Sequence, residues 1–446
     1  MKVGSFAANT GTGPQVITGV GFQPRALLFF YNDLTADGNS TEAVYGIGAA
    51  ITSTSRAATA FHGTDGTNGA DRYCTNTGCA VIVDSARTEI FKADLTSMDA
   101  DGFTLDVEVA ATAHIINYMA FGPADITNAA LLEFAAKTST GTQGYTGVGF
   151  QPNALIIFTA QRTTSPSGGD LAWGSLGFGD ATSQGAIGLE WLHNGNSPHQ
   201  TSLKTDKIIT IPTFNAGQLI HEAALSSLDA DGFTLNYTTA SGSAELSWAL
   251  CLRGSNLKVG NFAAPTSTGE ATTSDVGFRA GGLLIMGSAR ASAGVGTSQA
   301  QFVGAASSAT SRASISMTKT ATSQTADSSL QQDEIASFSI DSAGTYTLDY
   351  EADFARFTSN GFTLNWTDAP ADGKIIIYLA AGTSNPGQGG GGGSGGQGGG
   401  GGNGGGGGGN GGGGPPGGGG PPGQGNRKTI VGQRRRKRRA LISGIF

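Results

Sequence analysis

Two stretches, Asp99-Ala100-Asp101-Gly102 and Asp229-Ala230-Asp231-Gly232, place paired carboxylates just ahead of a glycine, as the oxygen donors of a calcium loop would be placed. The further ligands, a bidentate Glu above all, do not follow at the needed distance. A third copy reads Thr358-Ser359-Asn360-Gly361 and lacks both acids. What all three share is turn chemistry, so no metal is expected there. His193 and His199, in H-N-G-N-S-P-H, have no Cys or acid beside them to complete a zinc site and are read as solvent-exposed loop residues. An indole face complements the C–H surface of a pyranose. Trp173 and Trp191, in loop-like and strand-edge surroundings, are therefore the candidates for glycan stacking, while Trp248 and Trp366 sit in apolar strands and are assigned to the core. Cys74 and Cys79 bracket T-N-T-G and are read as free thiols, and Cys251 as a small core hydrophobe.

The strongest concentration of charge is Arg434, Arg435, Arg436, Lys437, Arg438 and Arg439, followed by the apolar Ala440–Phe446. Guanidinium-rich ends suit phosphate or an acidic protein groove. Residues 426–446 carry eight basic residues and no acid, which leaves 18 basic against 33 acidic residues, or −15, for positions 1–425. Body and tip therefore address different partners. Between them, residues 387–425 hold 29 Gly in 39 positions, a composition with no apolar side chain to bury. That segment is expected to be a disordered tether or a polyglycine array.

No G-x-S-x-G elbow, H-E-x-x-H, Walker loop or strand-turn-helix dinucleotide fingerprint occurs. An enzyme is not expected, nor a cofactor. No run of 18 apolar residues occurs either, so no membrane span is expected. Met1 and Lys2 lead straight into the first repeat, and the expectation is a chain made in a host cytoplasm without a signal peptide.

The elements that position these residues recur three times. K-V-G-S-F-A-A (Lys2–Ala8) returns as L-L-E-F-A-A (Leu131–Ala136) and K-V-G-N-F-A-A (Lys258–Ala264). T-G-V-G-F-Q-P returns as itself and as S-D-V-G-F-R-A, so that Phe22, Phe150 and Phe278 are 128 residues apart each time. Each unit then carries a D-G-F-T-L or N-G-F-T-L stretch and closes on an apolar strand. A constant period of this kind is the mark of tandem copies of one fold. R-A-L-L-F-F-Y and its counterparts read as strands covered on both faces, and Phe103, Leu105, Val107 and Val109 alternate as a strand with one face inward. The fold class expected is all-β: three tandem antiparallel β-sandwich domains of six to eight strands each, over 1–122, 131–254 and 257–382. The tether then covers 383–425 and the basic anchor 426–446.

The unit pattern G-F-x-P-x-A-L-L-F-F, then D-G-F-T-L, then I-I-x-Y-M-A-F-G resembles repeat units of tail-fibre and other virion proteins of tailed bacteriophages. It is also distantly similar to H-type lectin domains, with Met119, Leu250 or Leu379 where the lectin pattern favours Trp. That second resemblance implies a jelly-roll or H-type-lectin-like sandwich and a trimer with sugar sites near its subunit junctions. The trimer would be either a homotrimer or one imitated by three linked units in one chain. The function expected is a structural or host-facing virion protein, a fibre, spike or decoration, whose partners are other assembly proteins. The alternatives are an adhesin binding cell-surface glycans and a packaging protein binding nucleic acid through the C-terminus.

Overall fold

The computed structural model describes residues 1–382 except 68, 192–198, 216, 298–299, 320–325 and 342–345. The glycine-rich segment, Arg434 to Arg439 and His193 lie outside the described residues. The protein is all-β, and every strand pairing is antiparallel. Each repeat contributes eleven strands among the described residues, more than the six to eight expected from turn spacing. The excess comes from short strands, such as Gly38–Ser40 and Ala80–Val83, too brief to show a hydrophobic period.

In the first repeat a seven-stranded sheet runs in the order Lys2–Ala7, Ile115–Phe121, Ala26–Tyr31, Ala43–Thr52, Ser55–Gly63, Ala70–Thr75 and, last, Ser167–Asp170. A four-stranded sheet, Gly13–Thr18, Gly102–Val109, Glu89–Asp99 and Ala80–Val83, covers its outer face. The other two repeats copy this order. All six residues of Ala26–Tyr31 are buried because the two faces have different covers. Leu27, Phe29 and Tyr31 pack inside the sandwich with Phe103 and Leu105, whereas Leu28 and Phe30 point away from it into a second core. At about 1.5–3 kcal/mol per buried large side chain, such a doubly covered strand is worth far more than its backbone pairing.

The second core belongs to no single repeat. It joins Met119 and Phe30 of the first, Trp248 and Leu176 of the second, and Leu379 and Met286 of the third in one continuous cluster. The last strand of each seven-stranded sheet is also borrowed. Ser167–Asp170 of the second repeat completes the first, Gly294–Gly296 of the third completes the second, and Gly38–Ser40 of the first completes the third. The exchange is cyclic and closes the three repeats into a ring, and the described residues form one compact unit. Polar contacts follow the same cycle. The Val259 N–H donates to Asp180 Oδ2 of the repeat before it at 2.7 Å, and the Val3 N–H donates to Ser307 Oγ of the third repeat at 3.0 Å.

Sandwich thickness is set by three glycines. A Cβ on Gly48, Gly177 or Gly304 would lie 1.9, 1.9 or 1.7 Å from the carbonyl oxygen of Cys79, Ile208 or Ile335, the residue just ahead of the edge strand of the facing sheet. These contacts also align the three repeats residue by residue.

Candidate functional site

The paired acids are turn residues, and their partners are the other shared motif. Asp101 accepts the N–H groups of Gly19 and Gly21 at 3.1 and 2.6 Å, and Asp231 does the same for Gly147 and Gly149. Gly19 and Gly21 hold φ of +82° and +87°, which only glycine adopts without strain. In the third repeat Asn360 keeps the acceptor role toward Gly277 at 2.7 Å and adds a donor to Ser274 O. Asp99 and Asp229 accept the hydroxyls of Thr104 and Thr234 at 2.7 Å. Because an amide already accepts the second of these N–H groups in the third repeat, Asp231→Asn should be nearly neutral in a urea melt. Asp231→Ala, which strips two N–H groups of their acceptor, should cost roughly 1–2 kcal/mol.

Of the two tryptophans expected at a surface, Trp191 is 1 % exposed and belongs to the shared core. The strand that looked like an edge, Gln184–Trp191, has neighbours on both sides and the other repeats against its face. His199, expected in solvent, is 1 % exposed as well, and burial pushes its imidazole down to about 4. Trp248 and Trp366 are core residues. The three cysteines are free and buried, and burial drives the Cys74 thiol up to about 12, far from a reactive thiolate.

Trp173 is half-buried at the junction of the first two repeats, beneath the Arg72 guanidinium of the first, 5.2 Å above its ring. Arg72 is anchored by Nη1, which donates to the carbonyls of Asp170 and Leu171 at 3.0 and 2.8 Å, so the exchanged strand itself aims the side chain. Burial and then Arg162 lower its pKa to about 10, still a cation at neutral pH. Arg162 Nε and Nη2 both donate to Ser167 Oγ. Glu245 is buried and accepts Ser241 Oγ–H at 2.5 Å. Together with Gln161 and Ser243 these groups line a cleft of about 250 Å³. A larger hollow of about 370 Å³ within the second repeat, over Pro152 and Leu228, is less promising. Its one charged group, Asp180, is already occupied by Val259, Thr182 and Ser183 N–H groups.

No family model matches the chain, and no curated protein matches it either. The repeats themselves provide the comparison. In the alignment set by the facing glycines, Trp173 corresponds to Val44 and Ala300, and Arg72 to Thr201 and Ser328. The equivalent contact at another junction is a plain hydrogen bond, Val44 N–H to Ser328 Oγ at 3.1 Å. One junction of three has thus been given an aromatic ring and two guanidiniums. Arg162 recurs as Arg290 in the third repeat; Arg72 and Glu245 carry no motif, and their departure from the repeat pattern was the signal available for finding them.

Beside Trp173 on the neighbouring strand is Glu190, fully buried. Neither carboxylate oxygen has a hydrogen bond of normal geometry. Burial raises its pKa from the ordinary 4.5 to about 7, partly offset by the Trp173 indole N–H. The unfolded chain would release this proton near 4.5 and the folded chain near 7, so stability falls as pH rises through that window. Glu190→Gln should leave the urea midpoint unchanged near pH 4 and raise stability by roughly 3 kcal/mol at pH 8.

Proposed function

We propose that this chain is a non-enzymatic, host-facing structural protein of a phage particle. Its three-repeat ring is the displayed body, residues 383–425 are the tether, and the basic end at 426–446 is the attachment point. The observation that carries this reading is the cyclic strand exchange around one shared core. Each sheet is completed by its neighbour, so a load on any one repeat is distributed over three sandwiches. The repeat resemblance to virion proteins and the opposite charges of body and tip support the same reading. Mass spectrometry of purified virions should find the chain, and secretion from uninfected cells by a dedicated signal would contradict the proposal. Deleting residues 387–446 should leave the melting of the body unchanged and abolish incorporation. Replacing Arg434, Arg435, Arg436, Arg438 and Arg439 by Ser should weaken attachment more at low than at high salt. Full incorporation of the truncated chain would move the assembly contacts into the repeats.

The junction cleft favours a second reading, a glycan-binding adhesin. Arg72, Arg162, Gln161, Ser241, Ser243 and Glu245 offer donors and acceptors at one opening, which suits a ligand whose hydroxyls each donate and accept. Recognition would be by hydrogen bonds, since Arg72 covers one face of Trp173 and Trp191 is enclosed. A glycan array probed with the full chain should show binding that Arg72→Ala abolishes. No binding by folded protein at millimolar sugar leaves the structural role alone.

A further inference from the structure

We infer that the three repeats are three distinct partners that close into a ring in one cyclic order only, and that Gly63, Trp191 and Lys319 enforce this order where the repeats meet. These residues are equivalent. Each lies five positions beyond Ala58, Ala186 or Ser314, the cross-strand partners of the aligned Gly48, Gly177 and Gly304. They also converge: a Cβ on Gly63 would be 3.1 Å from Trp191 Cζ3 and 3.2 Å from Lys319 Cδ.

The three residues complement one another and none complements itself. Trp191 fills the space that Gly63 leaves open, and both Trp191 and Lys319 are buried. Lys319 Nζ escapes the apolar centre by donating to Thr64 O and Thr67 O of the first repeat, at 2.8 and 3.3 Å. Asp65 of the same repeat accepts the Ala326 N–H of the third at 3.0 Å. Three indoles at this point would overfill a close-packed centre. Three lysines would bury three ammonium groups together, and three glycines would leave a cavity.

The exchanged strands are equally particular. Arg87 of the first repeat pairs with Asp71 at 2.9 Å and with Asp170 of the incoming strand. The strand entering the third repeat is held instead by Asp37, which accepts the Gln332 N–H at 3.1 Å, and Asn32 Nδ2 donates to Ser329 O at 2.8 Å. Two junctions therefore use unlike groups, and a repeat placed beside the wrong neighbour loses its edge contacts and, at the centre, the bonds that Lys319 makes to Thr64 and Thr67.

Two rearranged chains, each with the natural tail and connections of natural length, test the inference. A chain in the order second, third, first keeps every neighbour and should melt in one transition within a few degrees of the parent. A chain in the order first, third, second exchanges the neighbours and should lose that transition and its resistance to protease. In the unrearranged chain, Gly63→Trp should lower the melting temperature by more than Gly63→Ala does. Parent-like melting of the exchanged order, or of Gly63→Trp, would overturn the inference, as would failure of the cyclic permutant to fold.

Discussion

Replacing Trp191 by Ala should destabilise the whole three-repeat body by about 3–5 kcal/mol, the range for deleting a fully buried indole. The indole is 1 % exposed and touches the first repeat at Gly63, so the space it vacates is bordered by more than one repeat and cannot collapse by the movement of one. The loss should appear as a shift of the entire urea transition, not as early melting of the second repeat. A surface tryptophan would behave otherwise: its removal would stay within about 0.5 kcal/mol and would be felt in ligand binding.

The second large effect is expected at the glycines that let the two sheets of a sandwich approach. Gly177→Ala would drive a methyl group to within 1.9 Å of Ile208 O, backbone against backbone, with no flexible side chain to yield. The sheets must separate locally, and the cost should reach roughly 3 kcal/mol or more. Gly147→Ala makes a useful contrast. Nothing lies within 4 Å of its added Cβ, so the penalty arises only from its φ of +95°, about 1–2 kcal/mol. A denaturation series in which Gly177→Ala costs no more than Gly147→Ala would show that the sheets are not in contact there.

The all-β class, the doubly covered Ala26–Tyr31 strand and the alternating Gly102–Val109 strand could be read from the sequence, because period-2 alternation and long apolar runs are driven by burial that the residues record directly. The turn reading of Asp101 and Asp231 was legible because the third copy keeps Asn360-Gly361 without the acids. Its partner was not: the acceptor and the G-V-G donors are about 80 residues apart, and only the fold joins them. The ring was the larger omission. Its exchanged strands, S-G-G-D, G-V-G and G-N-S, are three or four residues long and almost without apolar side chains, so no pattern distinguishes them from loops. Trp191 was misplaced because its strand is covered by other repeats, a burial that sequence reading within one repeat cannot anticipate. The junction cleft is obscure for a related reason, since Arg72 and Trp173 lie 101 positions apart in different repeats and meet only across the exchanged strand.

A single calorimetric scan of the full chain tests the central claim most directly. If the three sandwiches share one core and complete one another's sheets, the scan will show one transition whose van't Hoff enthalpy matches the calorimetric enthalpy. Three resolved transitions, or a van't Hoff enthalpy near one third of the calorimetric value, would contradict the account and return the chain to three independent sandwiches on a string.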